Sequence, residues 1–310
     1  MFDISNEKEY NDTMLISART NDTKDNSKPL HYKDTNFVFI GYDSREDIAY
    51  RVCEHSLIRH SSRPLTVIDL EISNLRRNGD FTRKWREDEE GQRYDVIDDK
   101  PFSTEFSHTR FLAPHIAKKN KMKNWIMFCD CDFLFIEDVD KLFKYVEEHH
   151  PNKAAACVKF DWQPTEDTKM DNQKQLGYDK KLWSSLMLLN MSHKDVKNLD
   201  ADKVNTMKGL DLHQFKWSSD DQIGEIPASW NHIPDVSTLN ESPNAIHFSL
   251  GGPWFGGKYK NIRFAQDWED EKLLYRNTLP ERRPTQWINY CLLYTSPSPR
   301  DRTRSRMPSS

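Results

Sequence analysis

The segment Trp125-Ile126-Met127-Phe128-Cys129-Asp130-Cys131-Asp132 gives the clearest structural signal in the chain. Its apolar run is bulky and lacks helical spacing of polar residues, which predicts a buried central strand. Ionised carboxylates are costly away from water, so the two aspartates need a charge or hydrogen-bond donors beside them. Because side chains alternate along a strand, Asp130 and Asp132 are expected to point the same way.

Two carboxylates that converge at the carboxyl end of a strand suit a divalent cation, and oxygen ligands favour Mg²⁺ or Mn²⁺. That end of the strand is also where open α/β sheets bind ligands. The alternative interpretation is that Asp130 and Asp132 only cap the turn after the strand. An Asp-x-Asp by itself does not decide between the two.

A strand, a helix and a second strand are predicted in succession, at Asn36–Gly41, residues 46–59 and Leu65–Leu70. This spacing is typical of a right-handed βαβ unit and a parallel strand pair. A helix is predicted from Val139 to Glu148. Further buried strands are predicted at residues 154–158, 183–190 and 245–248. The predicted class is α/β, with a mixed, mostly parallel sheet and helices on both faces.

The composition limits the classes of function that fit the chain. A net charge of -4 over 310 residues argues against a nucleic-acid protein whose affinity rests on phosphate neutralisation. The sequence has no apolar stretch long enough to span a membrane and no signal-peptide pattern at Met1, so a cytoplasmic protein is expected. Five cysteines without Cys-x-x-Cys spacing favour free thiols over a disulfide or zinc framework.

Changes in composition divide the chain into three parts. Residues 1–35 are polar and predict a loosely ordered leader, and residues 36–290 predict one folded domain. Residues 291–310 resemble the translated sequencing-adapter tails that end some assembled reading frames. The alternative interpretation of this last segment is a basic, disordered tail, and neither interpretation predicts packing against the domain.

Other polar and glycine-rich positions are candidates for ligand contacts. The turn Gly41-Tyr42-Asp43 lacks the glycine pattern of a dinucleotide site, and Tyr42 is expected either to stack on a nucleobase or to pack in a loop. Arg110 lies among aromatic residues and needs an anion such as Asp130 or a phosphate; the alternative is a surface arginine over an aromatic ring. Gly251 and Gly252 would let backbone N–H groups approach an anion closely.

The motifs, taken in order over residues 36–256, resemble GT-A-fold glycosyltransferases. They are most similar to the family-8 group of retaining, nucleotide-sugar-using enzymes that includes glycogenin-like proteins. Asp130-Cys131-Asp132 stands where that family has the Asp-x-Asp that binds Mn²⁺ and the donor diphosphate. His247, followed by Gly251-Gly252-Pro253-Trp254, resembles the motif whose histidine is the third metal ligand. Gly252 stands where the family motif has a lysine, and the spacing from the histidine to the glycine is one residue longer.

The same resemblance implies contacts with the donor sugar. Arg110 lies in a segment similar to the helix that carries an arginine near this sugar. Ser184 stands where the family has a sugar-contacting asparagine, and Leu186 stands where it has a glycine. Asp221-Gln222 resembles the Asp-Gln pair that contacts the transferred sugar.

The resemblance implies metal-dependent transfer of a hexose from a UDP-sugar to a hydroxyl acceptor (a glycan, lipid or protein), with retention at the anomeric carbon. The implied metal is Mn²⁺ or Mg²⁺. Gly41, Tyr42 and Asp43 would contact the nucleoside. The remaining implied roles are donor binding by Asp130, Gly251 and Gly252, metal binding by Asp130, Asp132 and His247, and sugar contacts by Arg110, Ser184, Asp221 and Gln222.

Two other functions remain open at this point. Paired acids also serve metal-dependent nucleotidyltransferases and phosphohydrolases, although these usually need a second metal or more carboxylates. A non-catalytic sugar-binding module on the same fold is the other possibility. Specificity is expected to depend on the loops 74–101 and 161–180.

Overall fold

The structure is a computed structural model, and it describes residues 18–20, 35–161, 177–234, 236–237 and 242–279. The strands are β1 (Ala18–Thr20), β2 (Asn36–Gly41), β3 (Leu65–Leu70), β4 (Trp85–Glu87), β5 (Arg93–Asp95), β6 (Pro101–Phe102), β7 (Trp125–Cys129), β8 (Phe133–Phe135), β9 (Ala155–Cys157), β10 (Leu186–Asn190), β11 (Ile223–Glu225) and β12 (Ala245–His247). The α-helices are α1 (Asp47–His60), α2 (Ile72–Arg77), α3 (Phe106–Thr109), α4 (Ala113–Lys119), α5 (Val139–His149), α6 (Lys194–Lys197), α7 (Ala201–Thr206), α8 (Gly209–His213) and α9 (Ala265–Thr278).

The central sheet has seven strands in the order β1-β3-β2-β7-β10-β9-β11. β2 pairs in parallel with β3 and β7, and β11 pairs in parallel with β9. β10 is antiparallel to both of its neighbours, and β1 is antiparallel to β3. All strands except β1 and β10 therefore run the same way, which confirms the predicted mixed, mostly parallel α/β class.

Local sequence patterns account well for the centre of the sheet. β2 and β3 have the predicted bounds, and the helix between them is shifted by a single residue at each end. Every residue of β2, β7 and β10 is buried, as expected for continuous apolar runs covered on both faces.

The predicted strand over residues 183–190 is wrong at its amino end. Trp183–Ser185 forms a 3-10 helix, and β10 begins only at Leu186. Leu182 adopts a left-handed conformation with φ 71°, and the Ser185 hydroxyl donates a 2.7 Å hydrogen bond back to the Leu182 carbonyl. This hydrogen bond closes a turn, so the strand cannot start earlier.

The described residues also bear on the ends of the chain and on the thiols. Ala18–Thr20, within the predicted leader, pairs with β3 as an edge strand. Cys53, Cys129, Cys131 and Cys157 are buried free thiols, as predicted. The rest of the predicted leader up to residue 34, residues 162–176 and the segment 280–310 lie outside the described residues.

A short second sheet and the last described helix complete one side of the molecule. β8 and β12 pair antiparallel, and a small apolar cluster that includes Leu134, Ile246 and Trp268 lies beneath them. α9 is held against α1 by the buried carboxylate of Glu271, which accepts hydrogen bonds from Arg59 and lies 2.6 Å from His55 Nδ1. Within the described ranges, no helix combines the length and apolarity needed to cross a membrane.

The predicted loop 74–101 contains a third sheet, which has three strands, β4, β5 and β6, and ends just beyond the loop at Phe102. Inside it the side chains of Arg83 and Asp95 are each only 1% exposed and pair at 2.6 Å. Arg83 also donates to the carbonyls of Val204 and Met207, at the end of α7. This buried ion pair ties the small sheet to the body of the domain.

Candidate metal centre and the adjoining cavity

The two acids and the histidine predicted as metal ligands come together in the structure. Asp130 and Asp132 follow the carboxyl end of β7, and His247 is the last residue of β12. One ligand atom from each residue lies within 4.8 Å of the other two. The turn that carries the acids is fixed by backbone hydrogen bonds, from Asp130 N to Ser185 O and from Phe248 N to Asp132 O.

The register of the β8–β12 pair explains how His247 reaches the acids. His247 lies opposite Phe133, the residue directly after Asp132. The rings of His247 and Phe133 stack with centroids 4.3 Å apart and planes 11° from parallel. His247 is 1% exposed, so its imidazole has little freedom to turn away from the acids.

A chain of hydrogen bonds determines which nitrogen of His247 carries the proton. The Ser185 hydroxyl donates to the Leu182 carbonyl, so Ser185 Oγ can only accept, at 2.9 Å, from the Asn231 amide nitrogen. The Asn231 oxygen then faces His247 Nδ1 at 2.8 Å. Nδ1 must therefore be the protonated nitrogen, and the neutral ring carries its lone pair on Nε2.

This tautomer makes the site fit a divalent cation. His247 Nε2 is buried and has no hydrogen-bond partner among the described residues. It lies 3.3 Å from Asp132 Oδ1. Two acceptor atoms in that position repel each other unless a proton or a cation lies between them. Two carboxylates and one neutral imidazole are a donor set that suits Mn²⁺ or Mg²⁺.

Arg110 meets Asp130, one of the two anions that the sequence analysis offered for it. Its Nη1 lies 2.8 Å from Asp130 Oδ1 and donates a 2.9 Å hydrogen bond to the Ser184 carbonyl. The guanidinium also lies 5.3 Å from the ring centroids of both Phe106 and Phe128. Arg110 is 6% exposed, so Asp130 is held in a fixed position by a buried, pre-oriented cation.

A cavity of about 140 Å³ opens beside the acids. Its lining includes Arg110, Ser184 and residues 98 and 100–104 of the small third sheet and its flanking segments. Tyr178, from the second predicted specificity loop, and Lys181 and Leu182, which follow that loop, line another part of its wall. Parts of both loops that were expected to govern specificity therefore border the same space as the acids.

Two histidines of the cavity wall were not predicted from the sequence. His213 ends α8, and its Nδ1 lies 2.8 Å from Ser184 Oγ; His108 lies in α3. Burial lowers the pKa of each well below its usual value, and nearby arginines, Arg110 among them, lower the pKa further. Both rings are therefore neutral near pH 7. α8 is a short helix without a distinctive pattern, so no local signal marked His213.

The structure corrects the expected position of Asp221 and Gln222. They precede β11, which begins at Ile223 opposite Ala155, at the amino ends of β9 and β11. Both strands run parallel to β7, so this edge of the sheet is opposite to the edge that carries Asp130. The pair does not line the cavity beside the acids.

The predicted nucleoside turn lies at the same edge of the sheet as Asp130, beside the carboxyl end of β7. The side-chain polar groups of Tyr42 and Asp43 already form hydrogen bonds within the protein. Asp43 is fully buried, where it accepts hydrogen bonds from the Arg45 side chain and from Glu105 N. The Tyr42 hydroxyl donates to Asp47. A Cβ at Gly41 would lie 2.5 Å from the Phe106 ring, so this glycine permits close packing.

The glycines after His247 also serve local packing. Gly251 has φ 119°, which favours glycine, and its N–H donates to the Phe248 carbonyl. A Cβ at Gly251 would collide with the Tyr259 ring, and one at Gly252 with the Trp254 ring. Whether either glycine also contacts a donor diphosphate stays a prediction.

Comparison with solved structures identifies the fold. The apo structure of the bifunctional glycosyltransferase WbbM matches 85% of this chain with a TM-score of 0.50 and 15% sequence identity. This chain covers 52% of WbbM, about half its length. The galactosyltransferase LgtC, solved with donor and acceptor sugar analogs, matches 82% of this chain and 99% of its own, with a TM-score of 0.48 and 12% identity.

The fold is that of the GT-A-type glycosyltransferases. No protein-family model matches the chain. Protein CDI of Arabidopsis thaliana is 40% identical over 239 residues, which make up 76% of this chain and 85% of that protein. The chain belongs to the family of Protein CDI.

Proposed function

We propose that this protein is a glycosyltransferase that moves a hexose from a UDP-sugar to a hydroxyl group of an acceptor and depends on Mn²⁺ or Mg²⁺. The convergence of Asp130, Asp132 and His247 beside a cavity, in a GT-A fold, is the observation that carries the proposal. Retention at the anomeric carbon is part of the proposal because the resemblance to the family-8 group implies it. The stereochemistry of the product, followed by NMR, tests that part separately.

The roles of the protein's own residues follow from their contacts. Asp130, Asp132 and His247 Nε2 would hold the cation, and Asn231 keeps the lone pair of His247 on that nitrogen. Arg110 orients Asp130 and adds positive charge to the cavity that would receive the diphosphate. A bound divalent cation would supply Lewis-acid stabilisation of the leaving diphosphate.

Isothermal titration calorimetry with UDP tests the proposal. We expect UDP to bind the wild-type protein when Mn²⁺ is present and not when EDTA replaces it. Asp132→Asn should abolish this binding because it removes a ligand charge while keeping the size of the side chain. Asp270→Asn is the matched control, since Asp270 is an exposed carboxylate on α9, and it should bind as the wild type does. Metal-independent binding of UDP would contradict the proposal.

The reaction products distinguish the alternative enzymes. A glycosyltransferase releases UDP and forms a glycosylated acceptor, whereas a nucleotidyltransferase releases pyrophosphate. The described residues contain one cluster of metal-binding character, and it provides two carboxylates. This favours a single-metal reaction over the two-metal reactions of many phosphohydrolases. A protein that binds UDP with Mn²⁺ but never hydrolyses a UDP-sugar would instead be a binding module.

A further inference from the structure

We infer that His213 is the residue of this chain that recognises a hydroxyl of the donor sugar, and that Ser184 fixes the orientation of its ring. The inference rests on the proposed function. It assigns to His213 a role that the sequence analysis had given to Asp221 and Gln222, which lie at the other edge of the sheet.

A continuous chain of contacts connects the acids to His213. Arg110 Nη1 lies 2.8 Å from Asp130 Oδ1 and donates a 2.9 Å hydrogen bond to the Ser184 carbonyl. Ser184 Oγ in turn lies 2.8 Å from His213 Nδ1. Arg110, Asp130, Ser184 and His213 all line the same cavity. A ligand beside the acids is therefore within reach of a histidine that belongs to the same polar network.

The neighbouring charge indicates the tautomer of His213. Arg110 Nη1 is 3.5 Å from Ser184 Oγ, so the lone pairs of that oxygen are favoured on the side of the guanidinium. The Ser184 hydroxyl hydrogen then points to His213 Nδ1, which accepts it. A neutral imidazole in this state carries its proton on Nε2, and the described residues give Nε2 no hydrogen bond.

The surroundings of His213 suit a sugar better than a phosphate. The ring is neutral near pH 7, because burial and Arg110 lower its pKa, so it offers a hydrogen-bond donor without a charge. Phe111 contacts it edge-on at 5.2 Å between centroids, and Tyr178 lies at 6.0 Å. A neutral donor can bind a hydroxyl oxygen while the ring of Tyr178, which lines the cavity, covers the apolar face of the sugar.

Calorimetry in the presence of Mn²⁺ tests this role with His213→Leu, His213→Gln and Ser184→Ala. The probes are UDP, UDP-glucose, UDP-galactose, UDP-xylose and UDP-N-acetylglucosamine. For the wild type we expect at least one UDP-sugar to bind more tightly than UDP. His213→Leu should weaken the binding of that UDP-sugar by about 3- to 10-fold, the effect of one lost hydrogen bond, and leave the affinity for UDP unchanged.

The other variants separate recognition from a merely structural role. His213→Gln retains an N–H donor and should recover part of the preference, whereas Ser184→Ala should lose part of it because the ring is no longer oriented. His149→Gln, an exposed histidine on α5, is the matched control and should match the wild type. Thermal melts of each variant report whether the fold is intact.

The outcomes distinguish failure of this inference from failure of the proposed function. If the wild type binds neither UDP nor any UDP-sugar with Mn²⁺, both are wrong. If the wild type binds UDP with Mn²⁺ but shows no preference for any UDP-sugar, this inference alone is wrong. This inference alone is also wrong if His213→Leu weakens the binding of UDP and of UDP-sugars equally. It is wrong, too, if that variant keeps the wild-type preference for the UDP-sugar.

Discussion

The imidazole Nε2 of His247 and the carboxylate Oδ1 of Asp132 lie 3.3 Å apart. Both act as hydrogen-bond acceptors when the proton of His247 is on Nδ1, as the hydrogen bond to Asn231 requires. With neither a cation nor a second proton on the ring, this contact costs stability that the fold must supply elsewhere. A bound cation would turn the same contact into an attraction, so stability and metal binding should respond in opposite ways to changes at Asp132.

In buffer alkaline enough to keep histidine neutral, Asp132→Asn is therefore expected to stabilise the metal-free protein, and it should also remove metal binding. The new amide nitrogen can donate to His247 Nε2, and a net gain of about 1 kcal/mol in the free energy of unfolding is typical of one hydrogen bond. Urea denaturation in EDTA measures this change. A loss of stability would contradict the assigned tautomer.

Asp130→Asn should have the opposite effect on stability, although the chemical change is the same. Asp130 is the ion-pair partner of Arg110, whose side chain is 7% exposed. Removing one partner of a buried pair costs about 3 kcal/mol, because the remaining charge stays buried. The two variants, compared by urea denaturation in one buffer, control for each other. Equal shifts of the same sign would show that the environment of the two acids is not as described.

Asn231→Ala should weaken Mn²⁺ binding although Asn231 does not belong to the predicted ligand set. Loss of its oxygen frees the tautomer of His247, and residues that orient a metal ligand typically change affinity by about 10- to 100-fold. Asn231→Asp keeps an oxygen that can accept from His247 Nδ1, so it should bind Mn²⁺ more tightly than Asn231→Ala. Titration of Mn²⁺ followed by electron paramagnetic resonance measures both affinities, and equal affinities for the two variants would contradict this role.

Gly209→Ala should destabilise the protein, although alanine normally favours a helix. A Cβ at this position would lie 2.5 Å from His108 Nε2, so the histidine ring must move. Overpacking of this kind costs about 1–3 kcal/mol, measurable by urea denaturation. The double variant Gly209→Ala, His108→Ala should cost less than the sum of the single changes, because it removes the clash. Additive effects would indicate that His108 is not the obstructing group.

Arg83→Met should loosen the small third sheet. It leaves Asp95 buried without its partner and removes the hydrogen bonds to the carbonyls of Val204 and Met207. We expect a loss of about 3–5 kcal/mol, measured by urea denaturation. Arg86→Met is the matched control, because Arg86 pairs with Asp99 at the surface, where the side chains are 52% and 75% exposed. A similar loss in both variants would argue against the buried pair as the anchor.

The parts of the fold that the sequence predicted well are those encoded by local patterns. Continuous apolar runs fix β2, β3 and β7, and an apolar stripe fixes α5 to within one residue. Arg110 was predicted to need an anion because a cation among aromatic residues is costly alone, and Asp130 is that anion.

The parts that the sequence could not predict depend on strand direction and register. A one-dimensional pattern does not reveal that β10 runs antiparallel to β7, or that β11 starts level with the amino end of β9. These two facts put Asp221 and Gln222 at the far edge. For the same reason, the sequence did not reveal Asn231 and His213 as part of the site. Each reaches it through a side-chain contact with a residue distant in the sequence.

The position of β12 in the chain has a consequence for how the candidate metal centre forms during synthesis. Asp130 and Asp132 leave the ribosome long before His247, which reaches them only when β12 pairs with β8. A nascent chain that has folded as far as the central sheet therefore presents an incomplete donor set. Tight capture of a cation should coincide with the docking of this late strand, so that metal occupancy would report completion of the domain.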